Sequence, residues 1–95
     1  MEAYTFQRTD LASRPLAAIE RQSLSEILSR EDRVVIDLKN VESISESFAD
    51  ELFGVLVLER GFSAVIQRIK LINAADDVLR SIAIAMKRRA LSHAA

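Results

Sequence analysis

The chain has 95 residues, enough for one domain and too few for two. Its 13 basic and 14 acidic residues leave a net charge of −1, so no basic field awaits a nucleic-acid backbone. The absence of cysteine excludes disulfides and thiolate metal sites, and the longest apolar run, Leu52 to Leu58, falls far short of the about 20 residues that cross a bilayer. The start, Met-Glu-Ala-Tyr-Thr-Phe, lacks a basic segment followed by an apolar one, so a cytoplasmic protein without a signal peptide is expected.

Tyr4 to Arg8 alternates apolar and polar side chains, which predicts a short edge strand. Ser13 and Pro15 mark a helix start, by hydroxyl capping and by a residue that needs no amide donor. Leu16, Ile19, Leu24, Ile27 and Leu28 then recur at helical spacing, which places a helix over 14–29. A strand over 33–38 follows. Val34, Val35 and Ile36 are apolar on both faces, as in a central strand of a parallel sheet, and Asp37 lies near its carboxyl end.

A serine-rich turn leads into a second helix over 47–60. One stripe, with Phe48, Leu52, Val55 and Leu56, is enough to pack on a sheet. Phe53 and Val57 form a surplus stripe that needs a second cover, either a neighbouring helix or a protein partner. Gly61 can end the helix in a left-handed conformation. A strand over 67–72 comes next. Asn73, with Asp76 as box acid, starts a third helix whose apolar face is Val78, Leu79, Ile82, Ala83 and Met86. Lys87, Arg88 and Arg89 are expected near its carboxyl end, offsetting the helix dipole. Residues 1–3 and about 92–95 are expected to fray. The fold class is α/β: one βαβαβα domain over 1–95, with a parallel or mixed sheet of three or four strands packed by helices.

The segment Ser13 to Ala17, the strand Val34 to Leu38, Val41, Ile44-Ser45, and above all Ser47-Phe48-Ala49-Asp50-Glu51-Leu52-Phe53-Gly54 resemble the STAS-like domain family of unknown function. That family is distantly similar to the STAS domains of bacterial anti-sigma factor antagonists. Those domains carry Asp-Ser-Ser-Gly at a helix start, and a partner kinase, itself the anti-sigma factor, phosphorylates the second serine. Laid on this chain, the motif puts Ser45 at the aspartate, Glu46 at the first serine, Ser47 at the phosphorylated serine and Phe48 at the glycine. The resemblance implies a signalling module whose partner is a histidine-kinase-like ATPase or another signalling protein, with Ser47 as the phosphoacceptor candidate.

The residues allow a simpler reading of the turn. Ser47 serves as the N-cap and Asp50 closes a Ser-x-x-Asp box, with Ser43 and Glu46 as a competing box one turn earlier. Glu46, Asp50 and Glu51 would also repel a phosphate, although Glu46 itself can stand in for a charged state. Arg14, a cation at a helix start, is expected to pair with an acid or with a partner. Asp37, Asp50 and Glu51 are weak candidates for a divalent cation, since no ligand spacing joins them. His93 is a single imidazole in the tail. No nucleophile elbow or phosphate-binding loop is present, so no enzyme activity, cofactor or metal is expected.

The leading expectation is a non-catalytic regulatory module, with neither nucleic acid nor membrane as partner. It would bind a protein through Arg14, Ser43, Ser45, Glu46, Ser47, Asp50, Glu51, Phe53 and Val57. One alternative is a homodimer or assembly module that hides Phe53 and Val57 in its own interface. A weaker one is a metal-dependent enzyme using Asp37 and Asp50.

Overall fold

Three apolar residues branched at Cβ favour extended backbone at Val34, Val35 and Ile36. In the computed structural model, which describes residues 2–94 and the side chains of 3–92, they form the middle strand β3 (Val34–Asp37). Strand β1 (Glu2–Thr5) and strand β5 (Ile69–Ile72) flank it, both parallel to it, and Ile36 is level with Tyr4 on one side and Leu71 on the other. Val34 and Ile36 are fully buried while Val35 is half-buried, so the two faces are covered unequally.

The edge strand begins two residues earlier than its alternation predicts. Phe6 leaves the strand to enter the core, edge-on to Tyr4 at 5.4 Å and to Phe48 at 6.0 Å between ring centres. A two-residue strand β2 (Asp10–Leu11) follows, with no counterpart in the sequence reading. Helix α1 (Arg14–Arg30) starts as expected: the Ser13 hydroxyl accepts from the Leu16 amide at 3.1 Å, and Pro15 sits in the first turn. Ala17, Leu24, Ile27 and Leu28 are buried, but Ile19 points to solvent.

Strand β4 (Ser43–Ile44) pairs with β2 in a separate parallel ladder. A continuous helical run over 46–60 then comprises α2 (Glu46–Ala49), a π turn (Asp50–Gly54) and α3 (Val55–Arg60). Gly61 ends it at φ +92°, in the positive range that glycine reaches without a Cβ clash. A short helix, α4 (Phe62–Arg68), follows at once, so Gln67 and Arg68, read from the sequence as strand, are helical. The Arg68 guanidinium donates to the carbonyls of Leu28, Glu31 and Asp32, which satisfies acceptors left free where α1 ends.

Helix α5 spans Asp76–Ala94. Asn73 does not cap it: the helix opens with Leu79 N–H donating to the Ala75 carbonyl at 2.9 Å. Asn73 has a positive φ of 57° and turns its amide to the Asp37 carboxylate instead. Because α5 continues to Ala94, Lys87, Arg88 and Arg89 do not mark its end, and the residues expected to fray at 92–94 are helical. Met1 and Ala95 lie outside the described residues, as does the side chain of His93.

The core settles what covers the surplus stripe of the second helix. Phe53 and Val57 are each only 1% exposed. Helix α5 packs against both the π turn and α3, and buries its own Val78, Ile82 and Ala85. The chain supplies the second cover itself, which corrects the expectation that Phe53 and Val57 bind a partner. It also buries the stripe that the alternative homodimer reading placed in its interface.

Candidate functional site

The β2–β4 ladder fixes where the second helix begins. Ser45 N–H donates to the Leu11 carbonyl at 2.8 Å, which extends the ladder and leaves Ser45 extended at φ −79°, ψ 159°. Its hydroxyl then accepts from the Phe48 amide at 3.0 Å and donates to the Ala12 carbonyl at 3.1 Å. Ser45, not Ser47, is the N-cap, and position 48, where a box acid would sit, holds Phe48. Ser43 is also occupied, donating to the Asp10 carboxylate. Ser47 lies inside the first helical turn, half-buried, and its hydroxyl makes no hydrogen bond to any described residue.

Asp50 and Glu51 do not serve the cap either. Asp50 accepts from Arg89 through both oxygens, Nε and Nη2 each at 2.8 Å, and from Arg14 Nη1 at 3.1 Å. Glu51 accepts from Arg21 Nη1 at 2.5 Å and from Arg14 Nη1 at 3.2 Å. Arg21 also donates to the Glu51 carbonyl at 2.5 Å. The result is an alternating row, Arg21, Glu51, Arg14, Asp50, Arg89, that ties α1 to the π turn and the π turn to α5. Bonding to Arg89 first, then Arg14, lowers the Asp50 pKa to about 2. Arg21 first, then Arg14, lowers that of Glu51. Arg14 therefore has an acidic pair within the domain, one of the two roles its position at a helix start suggested.

Gly54 closes the π turn beneath this row. A Cβ there would stand 2.7 Å from Asp50 Oδ1 and 2.9 Å from Arg89 Cγ, so the missing side chain is what lets the bidentate pair lie against the helix. Single π turns inside α-helices recur at functional positions.

Ser47 and Asp50 open on a cleft of about 340 Å³ between this helix and α5. Its charged walls are Arg14, Arg88 and Arg89 against Glu46 and Asp50, so cations outnumber anions. On α5 the lining positions Ser81, Ala85, Arg88 and Arg89 follow helical spacing and form one face. Arg88 and Glu46 are both exposed.

Asp37 is elsewhere and otherwise engaged. Its carboxylate accepts from the Lys39 amide at 3.0 Å and from Asn73 Nδ2 at 3.1 Å, and Asn73 first, then Lys39, lowers its pKa. It holds the turn after β3. Asp37 shares no partner with Asp50 or Glu51, and among the described residues no group of three or more metal-binding side chains is placed to hold an ion.

Arg21, Arg88 and Arg89 are the site residues that sequence reasoning did not select. Arg21 lies among the polar positions of α1, between the apolar ones that set its helical spacing, and the other two read as a complement to the helix dipole. Apolar surface does remain on the molecule, but on other elements than expected. A cleft of about 320 Å³ between α4, β5 and α5 is walled by Phe62, Ile66, Leu79 and Met86, with Phe53 at its floor and Lys87 as its one charged wall. No helix among the described residues is long and apolar enough to cross a membrane.

The model of the STAS-like domain of unknown function (DUF4325) matches residues 19–79. No curated protein and no solved structure matches the chain significantly. The matched stretch contains Ser47, Asp50, Glu51 and Gly54, while Arg14, Arg88 and Arg89 flank it on either side. The match covers well over half of the chain, and with the three-stranded parallel sheet and its helical cover it shows that the protein belongs to the family of STAS-like domains of unknown function.

Proposed function

We propose that this domain is a non-catalytic regulatory module that binds a signalling protein at the cleft between the 45–51 turn and α5, with Ser47 as its phosphate acceptor. The observation that carries this reading is the division of labour among the serines. Ser45 takes the cap and Ser43 takes Asp10, while Ser47 keeps an unbonded hydroxyl facing a cleft with three arginines. The capping role that competed with modification at Ser47 is filled by its neighbour. The repulsion expected from Asp50 and Glu51 is also reduced, since Arg14, Arg21 and Arg89 neutralise both carboxylates.

The partner suited to such a site is an ATPase of the kinase type. The Ser47 oxygen forms a bond to the γ-phosphorus of its nucleoside triphosphate as the bridge to the β-phosphate breaks. The diphosphate leaves and the hydroxyl proton passes to solvent or to a base of the partner. The product adds about −1.5 to −2 charges at the contact surface and so alters partner affinity.

Mass spectrometry of the protein purified from its native cell tests the reading. Phosphate on Ser47, absent from Ser43 and Ser45, is the expected result. The Ser47→Ala variant should take up no label from ATP when mixed with that cell's extract. Label that persists in Ser47→Ala, or a native protein with Ser47 wholly unmodified under every growth condition sampled, refutes it.

A further inference from the structure

We propose that Arg88 and Arg14 form a receptor for the Ser47 phosphate, and that Asp50 is the resident carboxylate with which this phosphate competes. The inference rests on the phosphoacceptor reading of Ser47 and adds how the domain itself responds. Ser47 and Asp50 are three residues apart, so they share one face of the helix. Both line the cleft whose remaining charged walls are Arg14 from α1, Arg88 and Arg89 from α5, and Glu46 from their own helix.

Asp50 holds Arg89 by two hydrogen bonds and Arg14 by one. Arg14 is divided between Asp50 at 3.1 Å and Glu51 at 3.2 Å, which makes it the more loosely held of the two. Arg88 is exposed and forms no ion pair among the described residues. A phosphate at Ser47 offers three acceptor oxygens and more charge than one carboxylate. Arg88 is free to turn to it, and Arg14 can exchange one acid for the other. Arg89, gripped at both oxygens, stays with Asp50. The exchange loosens α1 from the π turn while leaving α5 in place, so the modification is read as a change between two helices and not only as added charge.

The test places phosphoserine at position 47 during translation, which makes it independent of any kinase. The second ionisation of the phosphate is followed by phosphorus NMR in the full chain. Unperturbed, it lies near pH ~6. With the receptor in place it is expected about one unit lower. Arg88→Ala should return it most of the way, and Asp50→Asn, which removes the competitor, should lower it further. An ordinary value in the parent protein that Arg88→Ala leaves unchanged overturns the receptor, and an Asp50→Asn value equal to the parent's overturns the competition. Arg88 is exposed, so its variant retains the fold even if Asp50→Asn does not. Because the phosphoserine is incorporated during translation, failure here leaves native phosphorylation of Ser47 standing, and absence of native phosphate leaves the receptor standing.

Discussion

Replacing Asp50 by Asn tests the charged row on which the candidate site is built. The change keeps the shape of the side chain and removes its charge. Pairing with Arg89 and Arg14 lowers the Asp50 pKa from 3.8 to about 2, which corresponds to roughly 2 kcal/mol of stability at neutral pH. The side chain remains 24% exposed, and screening by solvent reduces this to about 1–2 kcal/mol. For a domain of this size the melting temperature should fall by about 5–15 °C.

The sign of the pH dependence follows from the direction of the shift. The folded pKa lies below the unfolded one, so the ionised carboxylate stabilises the fold. That contribution is complete above the ordinary value and is lost as pH falls through the folded value of about 2. By pH 3 roughly half of it is gone. Urea unfolding of both proteins at pH 7 and pH 3 reads the difference, since the carboxylates outside the row cancel between parent and variant. A gap at pH 7 that shrinks by about half at pH 3 is expected. An equal gap at the two pH values would refute the claim that Asp50 acts as a charge and would leave only its shape.

The serine assignment makes a paired prediction: Ser45→Ala loses the cap and costs about 1 kcal/mol in chemical denaturation, whereas Ser47→Ala stays within about 0.5 kcal/mol of the parent. The reverse order would restore Ser47 as the cap and remove the basis for its modification. Gly54→Ala would gain about 1 kcal/mol at an ordinary helical position. Here its Cβ meets Asp50 Oδ1 at 2.7 Å, so a net loss of about 1–2 kcal/mol is expected, shrinking by at least half when Asp50 is also Ala. Thermal melts of the four proteins complete that cycle, and strictly additive effects would show that the glycine is not there for the ion pair.

Local physics made much of the fold legible. The branched triplet Val34-Val35-Ile36 is the central strand, Ser13 and Pro15 open α1, and Gly61 ends the second helical run. Errors arose where local signals compete. Gln67 and Arg68 precede an apolar strand, yet α4 runs through them, because Arg68 is held by three carbonyls at the end of α1. Asn73 carries a capping side chain, but the backbone turns to a positive φ and the amide goes to Asp37, 36 residues earlier. The β2–β4 ladder has two residues per strand, too short for any period to register.

The same blindness to distance governs the site. Local pattern offers Ser47 with Asp50, or Ser43 with Glu46, as the cap and its box; the choice of Ser45 instead falls to a hydrogen bond from Ser45 to Leu11, a residue outside the whole turn. Asp50 and Glu51 follow Ser47 closely along the chain, so they read as acids that complete a box and repel a phosphate. Their partners are Arg14, Arg21 and Arg89, separated from them by 30 to 39 residues, and no periodicity connects those positions. Charge counted along the chain made the turn acidic, whereas charge counted in space makes its cleft hold more cations than anions. That inversion is a consequence of folding alone. It weakens the strongest sequence-level objection to a phosphate at Ser47, and it makes Arg88, the lining cation with no ion pair among the described residues, the residue on which the proposed receptor depends.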